Sequence, residues 1–527
     1  LTMSLEILAE AAAALLPGRR VIGLRDVRAF RWLACDQPRQ TLEVSATRQG
    51  GSADEDRVVV RLRNLTEDAA SNNPQTSPVL EATVILAGDY PGAPAPRSAR
   101  LTDGTPYSLP AGQLYREIMF HGPSWQGVTG MRETAPDGAL AELCVLPWDG
   151  LLRGNPAPSF VLDPVVLDAA GQVIGFWTAE RLATGKIIFP FHLESLEVYG
   201  PQRPSGERLI CAATIQLQGE HLVRSDIDVI DAEGALWLRL VGWEDKRFAV
   251  PRQFEPLVKG TQRAPISAEW PEPLARLAGR ERLACRRLTA NFPSDRAFWM
   301  GIWANRVLSR REREVFAQLH RPEPRRLEWL AGRTAAKEAV EQLVKAHYRL
   351  ELLPADIEIL ADSNGRPLVA GSWLERLPYP PLVSISHSGG TAAAIACLSQ
   401  DEASTALGID IECTIPAREE FDAVAFTEDE ERLLAPVPAV ERAVWSLRAW
   451  CAKEATAKAL GEVMIEGPRT VLLAAVEPAA GSIAVRLGQQ LATRHPALAD
   501  LPLVVATGQQ DGIIYAVTRC EPATTRR

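Results

Sequence analysis

The sequence is poor in the residues that build zinc or disulfide scaffolds. Eight cysteines are scattered over 527 residues without a CxxC pair, and there are only seven histidines. Neither a structural zinc site nor a disulfide framework is therefore indicated, and a reducing cytoplasm suits the chain best. No apolar run approaches the length of a membrane span, and the opening residues 1–18 carry two glutamates without a basic stretch, unlike a signal peptide.

A strong excess of positive charge is also missing. The formal net charge is -9, and 46% of the residues are hydrophobic. This balance argues against nucleic acid or an anionic membrane as the partner, but leaves room for one local basic pocket. We expect a globular protein of several domains whose ligand is small or whose partner is another protein.

The pattern along the chain divides it into two parts. Residues 3–90 predict an apolar helix followed by antiparallel strands, and a similar order returns later, so we predict a first repeat at 1–95 and a second at 107–248. Residues 249–283, rich in proline and charge, predict a linker. The remainder, 284–520, mixes helices and strands, which makes the whole chain α+β. Because the chain opens with an element already under way, we interpret it as a fragment of something longer.

The segment GIDIE places two carboxylates on one face of a strand. Asp410 and Glu412 are two residues apart, so their side chains point the same way and repel each other unless a cation lies between them. Trp450, Glu454 and Lys458 share one face of a later helix, so that Glu454 can add a third carboxylate. Such an oxygen set favours Mg²⁺. A solvated strand face and an ordinary helix ion pair are the structural alternatives.

Groups suited to phosphates lie upstream of these acids. Arg333 and Lys337 share a helix face, Arg366 lies in the turn-like NGRP, and Ser386 and His387 precede two glycines at the end of a strand. Each has a structural alternative, such as a solvated helix face or a turn histidine. Together with the acids, they predict a site for a ligand that carries several phosphates.

The ordered motifs WLAGRTAAKEA, NGRP, SISHS, GIDIE, FTEDE and WCAKEATAKALG resemble 4′-phosphopantetheinyl transferases of the surfactin-synthetase-activator type. The resemblance covers about 285–515. It implies a pseudo-dimer of two α/β lobes with coenzyme A in the cleft between them. Asp410, Glu412 and Glu454 would hold Mg²⁺ on the pyrophosphate. The adenosine and its phosphates would be bound by Arg333, Lys337, Arg366, Ser386 and His387. Lys453 and Lys458 would lie at the phosphates.

The same resemblance implies the reaction. The serine hydroxyl of an acyl or peptidyl carrier protein attacks the β-phosphate of coenzyme A, and adenosine 3′,5′-bisphosphate leaves. That chemistry requires a cation at the phosphate and a base for the serine. Glu454, directly or through water, is the expected base, and Lys458 is expected to neutralise the leaving group. Phe426 and the helix start at FTEDE are carrier-contact candidates that packing explains equally well.

Two motifs in the first part resemble dehydratase domains of polyketide synthases, which have a double hot-dog fold. They are LYREIMFHGPSWQGV at 114–128 and DPVVLDAAGQVIGFW at 163–177. The resemblance implies that Asp168 is the general acid for the departing β-hydroxyl of a carrier-bound 3-hydroxyacyl thioester, and that Gln172 orients it. An apolar tunnel would raise the pKa of such an acid. The alternative is that Asp168 only caps or pairs locally.

The first part departs from that family in one respect. A dehydratase needs a catalytic histidine from the first repeat, upstream of the helix that starts near Met3, and none of the seven histidines precedes that helix. His121 and His192 belong to the second repeat, so neither is nominated. We therefore expect this chain alone to be a poor dehydratase, or to contain a repeat that only packs.

The order of a dehydratase followed by a phosphopantetheinyl transferase is similar to the carboxyl end of the iterative synthases that make enediyne cores. This similarity implies that the transferase activates an acyl carrier protein of its own parent chain. Dehydratases of this kind often pair, so a homodimer is one expectation. Two other classes stay open: a non-catalytic scaffold that docks carrier proteins, and a metal-dependent phosphohydrolase that uses the same acids.

Overall fold

The computed structural model describes residues 1–31, 33, 39–51, 54–70, 77–97, 101–152, 154–182, 186–250, 254–255, 264–277, 280–290, 296–398, 406–414, 421–462, 467, 470–499 and 501–520. The chain divides into two compact units, Leu1–Arg263 and Ala264–Arg527. This division falls within the predicted linker 249–283, part of which lies outside the described residues. Within the described part of the chain, no helix is long and apolar enough to cross a membrane.

The first unit is an antiparallel sheet on which two long helices pack. Its described strands follow the order β2-β3-β4-β1-β8-β11-β10-β9-β7-β6-β5. The first half consists of α1 Thr2–Leu15, β1 Arg20–Ala29, β2 Leu42–Gly51, β3 Glu55–Asn64, α2 Leu65–Ala70 and β4 Leu80–Ala87. The second half consists of β5 Thr105–Pro106, α3 Leu114–Glu117, β6 Val128–Ala135, β7 Gly138–Cys144, α4 Pro164–Arg181, β8 Lys186–Val198, β9 Arg208–Gln218, β10 Leu222–Ile230 and β11 Leu236–Ala249.

The two halves of this sheet join where β1 pairs with β8. Helix α1 packs on strands of the first half, helix α4 packs on strands of the second, and the two helices touch each other. Apolar side chains of both helices and of the strands share one core. An antiparallel sheet wrapped around a helix, built twice, is the double hot-dog architecture, so the predicted α+β fold of this part is confirmed.

The start of α4 is fixed by buried hydrogen bonds. Asp163 Oδ1 accepts from the backbone N–H groups of Val165 and Val166, both at 2.9 Å. Glu6 of α1 accepts two further bonds of 2.6 Å from the backbone immediately ahead of Asp163. Capping satisfies N–H groups that the helix itself leaves without partners. The start of α4 is therefore held in a defined place, and Asp168 follows in the second turn.

The second unit contains two α/β halves, and the predicted two-lobed fold is confirmed. Its described strands form sheets of order β12-β13-β17-β16 and β18-β22-β21-β20-β19, and a separate pair β14-β15. The first half consists of β12 Ala268–Glu269, β13 Leu283–Thr289, α5 Arg296–Val307, α6 Arg310–Ala317, α7 Glu323–Tyr348, β14 Glu358–Ala361, β15 Pro367–Ala370, β16 Leu382–Ser388 and β17 Thr391–Cys397. The second half consists of β18 Ala406–Cys413, α8 Phe421–Ala425, α9 Glu428–Leu434, α10 Arg442–Ala459, β19 Val471–Glu477, β20 Ser482–Leu487, α11 Gln489–Arg494, β21 Leu503–Gln510 and β22 Ile513–Cys520.

Each half of the second unit repeats the same buried ion pair. In the first half, Lys337 Nζ on the long helix α7 lies 2.5 Å from Glu312 Oε2 at the start of α6. In the second half, Lys453 Nζ on the long helix α10 lies 2.7 Å from Glu430 Oε1 at the start of α9. All four side chains are buried. This repetition indicates that the two halves are related in detail as well as in element order.

Candidate active sites

Strand β18 and helix α10 approach each other closely at Gly408. A Cβ atom at this position would lie 1.9 Å from a backbone oxygen of α10, so only glycine allows the contact. The approach brings the face of β18 that carries Asp410 and Glu412 next to the face of α10 that carries Glu454 and Lys458.

Asp410 is the most enclosed of the predicted metal ligands, with 4% of its surface exposed. Its Oδ1 accepts from Ser386 Oγ at 2.8 Å and from Lys458 Nζ at 2.6 Å. Lys458 also donates to Ser386 Oγ at 3.0 Å. Oδ2 of the same carboxylate is buried and has no hydrogen-bond partner among the described residues. One oxygen is thus satisfied by serine and lysine donors, while the other accepts no such bond.

The other two carboxylates lie within electrostatic range of Asp410. Burial raises the pKa of Glu412, and repulsion from Asp410 raises it further. Burial also raises the pKa of Glu454, and repulsion from Asp410 and Glu412 adds to the effect. Ser388 Oγ donates to Glu412 Oε2 at 2.7 Å. Three acids that repel each other without a bound cation are characteristic of a site that needs positive charge.

The three acids do not form a closed metal cage. Among the described side chains, no group of three or more His, Cys, Asp or Glu is arranged to hold a metal ion by itself. Asp410 is enclosed, and Glu412 and Glu454 lie within electrostatic range of it, so the convergence of the three carboxyl groups on one cation stays a prediction. This arrangement fits Mg²⁺, which usually takes one or two carboxylates and completes its shell with water and phosphate oxygens. The partnerless oxygen of Asp410 is the observation that supports this fit.

Three alternating serines of β16 attach this strand to β18. Each serine Oγ accepts a hydrogen bond of 3.1 to 3.3 Å from the backbone of the second half. The three pairs are Ile409 N–H to Ser384, Ile411 N–H to Ser386, and Cys413 N–H to Ser388. The serines therefore take the place of a backbone ladder between the two halves. Two of them also bind the carboxylates on β18, so the junction and the acids are built together.

His387 lies on β16 beside a buried glutamate. Its Nδ1 is 3.5 Å from Glu328 Oε2, and Glu328 also accepts from the backbone of Gly390 at 3.2 Å and from Arg325 Nη1 at 2.9 Å. Burial lowers the pKa of His387, although Glu328 opposes that effect. The side chain is 35% exposed, so it is oriented by Glu328 and open to a ligand. Sequence reasoning did not identify Glu328, because a glutamate within a helical pattern carries no signal of its own.

The two predicted arginines lie in different surroundings. The guanidinium of Arg333 stacks on the Trp329 ring, with Cζ 3.4 Å from the ring centroid, and its buried Nε has no hydrogen-bond partner among the described residues. Burial lowers the pKa of Arg333 to about 10. The side chain of Arg366 passes Gly461, where an added Cβ would lie 3.3 Å from Arg366 Cδ. Arg366 therefore lies at the end of α10, the helix that carries Lys458.

Two predicted ligand-binding lysines are buried inside the protein. Lys337 donates to Glu312 and also to the backbone oxygens of Val307 at 2.8 Å and Pro354 at 3.0 Å. Lys453 pairs with Glu430 and donates to a backbone oxygen of α8 at 3.0 Å. Neither side chain has exposed surface. The predicted roles of Lys337 and Lys453 at the phosphates are therefore wrong in this structure, because both ammonium groups bind protein oxygens away from solvent.

In the first unit, Asp168 and Gln172 are joined directly. Gln172 Nε2 donates to Asp168 Oδ2 at 2.7 Å and to the backbone oxygen of Trp125 at 2.8 Å. Tyr115 Oη donates to Gln172 Oε1 at 2.6 Å and accepts from the backbone of Val128 at 2.8 Å. The carboxamide is thus fixed at both ends, which is the geometry that an orienting residue requires. The role itself is a prediction.

His121 also reaches Asp168. Its Nε2 lies 3.2 Å from Asp168 Oδ2. No sequence pattern pairs them, because they belong to different motifs and are separated by strands β6 and β7.

Comparison with known proteins yields two family matches in this chain. Residues 93–254 match the model of the polyketide synthase dehydratase N-terminal domain. Residues 406–506 match the 4′-phosphopantetheinyl transferase superfamily. The second match includes both strand acids and Glu454.

Curated relatives match the same region as the transferase model. A holo-[acyl-carrier-protein] synthase of Halalkalibacterium halodurans is 40% identical over 92 residues, which cover 18% of this chain and 72% of the relative. The Bacillus subtilis protein of the same name is 38% identical over 92 residues, covering 18% and 73%.

Solved dehydratase domains are similar to the first part. The dehydratase domain from the CurF module of curacin polyketide synthase is 17% identical, with a TM-score of 0.36, and the match covers 47% of this chain and 84% of that one. The dehydratase domain of PpsC from Mycobacterium tuberculosis is 21% identical, with a TM-score of 0.35 and the same coverage.

Proposed function

Because the chain belongs to the 4′-phosphopantetheinyl transferase superfamily and carries a polyketide synthase dehydratase domain, we propose that it transfers 4′-phosphopantetheine from coenzyme A to a serine of an acyl carrier protein. The relatives are named for the same acceptor, which supports the choice of substrate. The observation that carries the proposal is the carboxylate of Asp410, which has one oxygen bound to Lys458 and the other without a partner.

Each residue of the acid site, which consists of Asp410, Glu412, Glu454 and Lys458, has a proposed role. Asp410, Glu412 and Glu454 would hold Mg²⁺, which when bound would neutralise charge on the diphosphate. Glu454, directly or through water, accepts the proton of the carrier serine. Lys458 places a positive charge at the phosphates as adenosine 3′,5′-bisphosphate leaves.

The nucleotide end of coenzyme A is assigned to His387, Arg333 and Arg366. The side chain of His387 is 35% exposed and contacts Glu328, the guanidinium of Arg333 stacks on Trp329, and Arg366 lies near the end of α10. Ser386 is buried, and it acts through its hydrogen bond to Asp410.

The first unit is assigned the dehydration of a 3-hydroxyacyl carrier thioester, with Asp168 protonating the departing hydroxyl and Gln172 orienting it. We propose that the parent protein is an iterative synthase of the enediyne type, that the carrier is its own, and that the chain acts in the cytoplasm. The scattered cysteines, which form no CxxC pair, support that location. A homodimer is proposed on the resemblance alone.

The transferase is tested by incubating the chain with an apo-carrier protein, coenzyme A and Mg²⁺, followed by intact-protein mass spectrometry. We expect the carrier serine to gain one phosphopantetheine. Binding of coenzyme A with an unmodified carrier would support a docking scaffold instead. Release of phosphate or nucleotide from coenzyme A without carrier modification would support a phosphohydrolase.

A further inference from the structure

Residues 264–277, which we call the strap, fall within the predicted linker 249–283 but are anchored in the second unit. The carboxylate of Glu338 on α7 accepts from the backbone N–H groups of Ile266 at 2.7 Å and Ser267 at 2.8 Å, and from the Ser267 hydroxyl. Arg286 on β13 donates from Nε to Ser267 Oγ at 2.8 Å and from Nη2 to the Ser267 backbone oxygen. Glu338, Arg286 and Ser267 are at most 5% exposed. Since buried charges require partners, these bonds form a specific anchor.

The anchor occupies the counterpart of the acid site. Glu338 directly follows Lys337 on α7, as Glu454 directly follows Lys453 on α10, and both lysines form the repeated buried ion pair. Helix α7 packs on β13 in the first half, and helix α10 packs on β18 in the second. Glu338 therefore has the same position relative to helix and strand as Glu454.

The charges on the neighbouring strand and helix differ between the two counterparts. Arg286 Nη1 donates to Gln342 Oε1 at 2.9 Å, and Gln342 stands four residues after Glu338, as Lys458 stands four residues after Glu454. The strand thus carries a cation in the first half, where the helix carries a neutral amide. The guanidinium of Arg286 supplies the positive charge beside Glu338 from within the protein, and this counterpart binds the strap.

The strap reaches the second half of the unit through Trp270. The backbone N–H of Trp270 donates to the backbone oxygen of Cys285 on β13 at 2.8 Å. Its indole Nε1 donates to Gln510 Oε1 on β21 at 2.6 Å. The indole also meets the Tyr515 ring of β22 edge-on, with centroids 5.3 Å apart. One side chain, 1% exposed, therefore joins a strand of the first half to two strands of the second.

Tyr515 lies behind the strand that carries the two acids. In the ladder between β18 and β22, Tyr515 pairs with Ile411, the residue between Asp410 and Glu412. Trp270, Tyr515 and Ile411 belong to one buried apolar cluster. Because successive side chains of a strand point to opposite faces, Ile411 faces this cluster and the two acids point to the other face. The strap is thus part of the packing that supports the reverse face of the acid strand.

We propose that the strap positions the acid site, with Glu338 as its anchor in the first half and Trp270 as its support behind β18. Both are positioning residues, which act on Asp410 and Glu412 through the strand. The inference rests on the proposed function, because the acid site is assigned there. Its physical basis is that two like charges on one strand face repel each other, so the strand needs rigid packing behind it to hold them at a fixed separation.

The test compares Trp270→Ala with Trp373→Ala in the full 527-residue chain. Trp373 is 6% exposed, donates from Nε1 to the backbone oxygen of Asp356 at 3.1 Å, and packs in a separate core of the first half. Both truncations remove a buried indole, so both should lower the melting temperature. Only Trp270→Ala should weaken Mn²⁺ binding, by at least about tenfold, measured by electron paramagnetic resonance well below both melting transitions.

Two further measurements separate positioning from a general loss of stability. Hydrogen–deuterium exchange of the backbone amides at 406–413 should become faster in metal-free Trp270→Ala and stay unchanged in Trp373→Ala. Trp270→Phe keeps a ring against Tyr515 and should recover most of the Mn²⁺ affinity. Should Trp270→Ala fail to fold, Glu338→Gln decides, because weakened Mn²⁺ binding supports the strap and unchanged binding overturns it.

Three results would overturn the role of the strap. Mn²⁺ affinity equal to that of the unaltered chain in Trp270→Ala would reject the strap and leave the transferase standing. An equal loss of affinity in Trp373→Ala would also reject it, since lowered stability alone would then explain the effect. Absence of Mn²⁺ binding by the unaltered chain would reject the acid site, and the strap proposal with it.

Discussion

Lys458 Nζ lies 2.6 Å from Asp410 Oδ1. This ion pair links helix α10 to strand β18 within the acid site. Burial alone would lower the pKa of Lys458, but attraction to Asp410 outweighs it and the net shift is upward. The ammonium is therefore charged at neutral pH. It balances part of the negative charge of the three acids and leaves one oxygen of Asp410 for a cation.

Neutralising any one of the three acids should abolish transfer. We expect Asp410→Asn, Glu412→Gln and Glu454→Gln each to lower the rate by about 100-fold or more, because cation binding supplies several kcal/mol to phosphoryl transfer. The measurement is carrier modification by mass spectrometry. Glu351→Gln is the control, since the side chain of that glutamate is 62% exposed and lies outside the residues assigned to the site. A Glu351→Gln variant as inactive as Glu412→Gln would argue against a specific site.

Glu454 should destabilise the metal-free protein as pH rises. Its folded-state pKa is raised above the ordinary value of 4.5, so the folded chain binds this proton more tightly than the unfolded chain does. Stability is therefore lost as pH increases through that range. Glu454→Gln should melt at a higher temperature than the unaltered chain near about pH 8 and at the same temperature near about pH 4. A lower melting temperature at the higher pH would contradict this sign.

Lys453 should matter for folding and have no direct contact with substrate. Lys453→Met leaves Glu430 buried without its ammonium partner, so we expect a loss of about 3–5 kcal/mol in the free energy of unfolding. Urea titration followed by circular dichroism measures this loss. The exposed Lys345, 3.8 Å from Glu351, is the control, and its replacement by methionine should change stability by less than about 0.5 kcal/mol. Unchanged stability with a raised KM for coenzyme A in Lys453→Met would restore the ligand role.

Gly408 should tolerate no side chain. Alanine would bring Cβ to 1.9 Å from the backbone oxygen of Ala455 and push α10 off β18. We expect a destabilisation of about 1–3 kcal/mol or more, together with weaker metal binding. Gly301, where an added Cβ meets nothing within 4 Å, is the control on helix α5, and Gly301→Ala should be neutral or stabilising by up to about 1 kcal/mol. Equal stability of the two variants would contradict the close approach.

The parts of the site that the sequence could predict are local. Alternation placed Asp410 and Glu412 on one strand face, and helical spacing placed Glu454 with Lys458, because both periodicities depend only on neighbouring residues. The strand and the helix are present where the pattern predicts them, at Ala406–Cys413 and Arg442–Ala459.

The predictions that failed depend on how a helix or strand is oriented in the folded chain. Spacing showed that Arg333 and Lys337 share a helix face, but it could not show that this face turns inward, where Lys337 meets Glu312. The contact between His121 and Asp168 likewise depends on the path of the chain between two motifs. Both contacts are determined by packing between residues distant in the chain, which the local periodicity of a single sequence does not reveal.

Mn²⁺ binding followed by electron paramagnetic resonance tests the central claim most directly, because it measures the cation site without requiring turnover. The account predicts one site in the transferase unit, weakened by at least about tenfold in Asp410→Asn and in Glu454→Gln but not in Glu351→Gln. Equal Mn²⁺ affinity in all four proteins would contradict it.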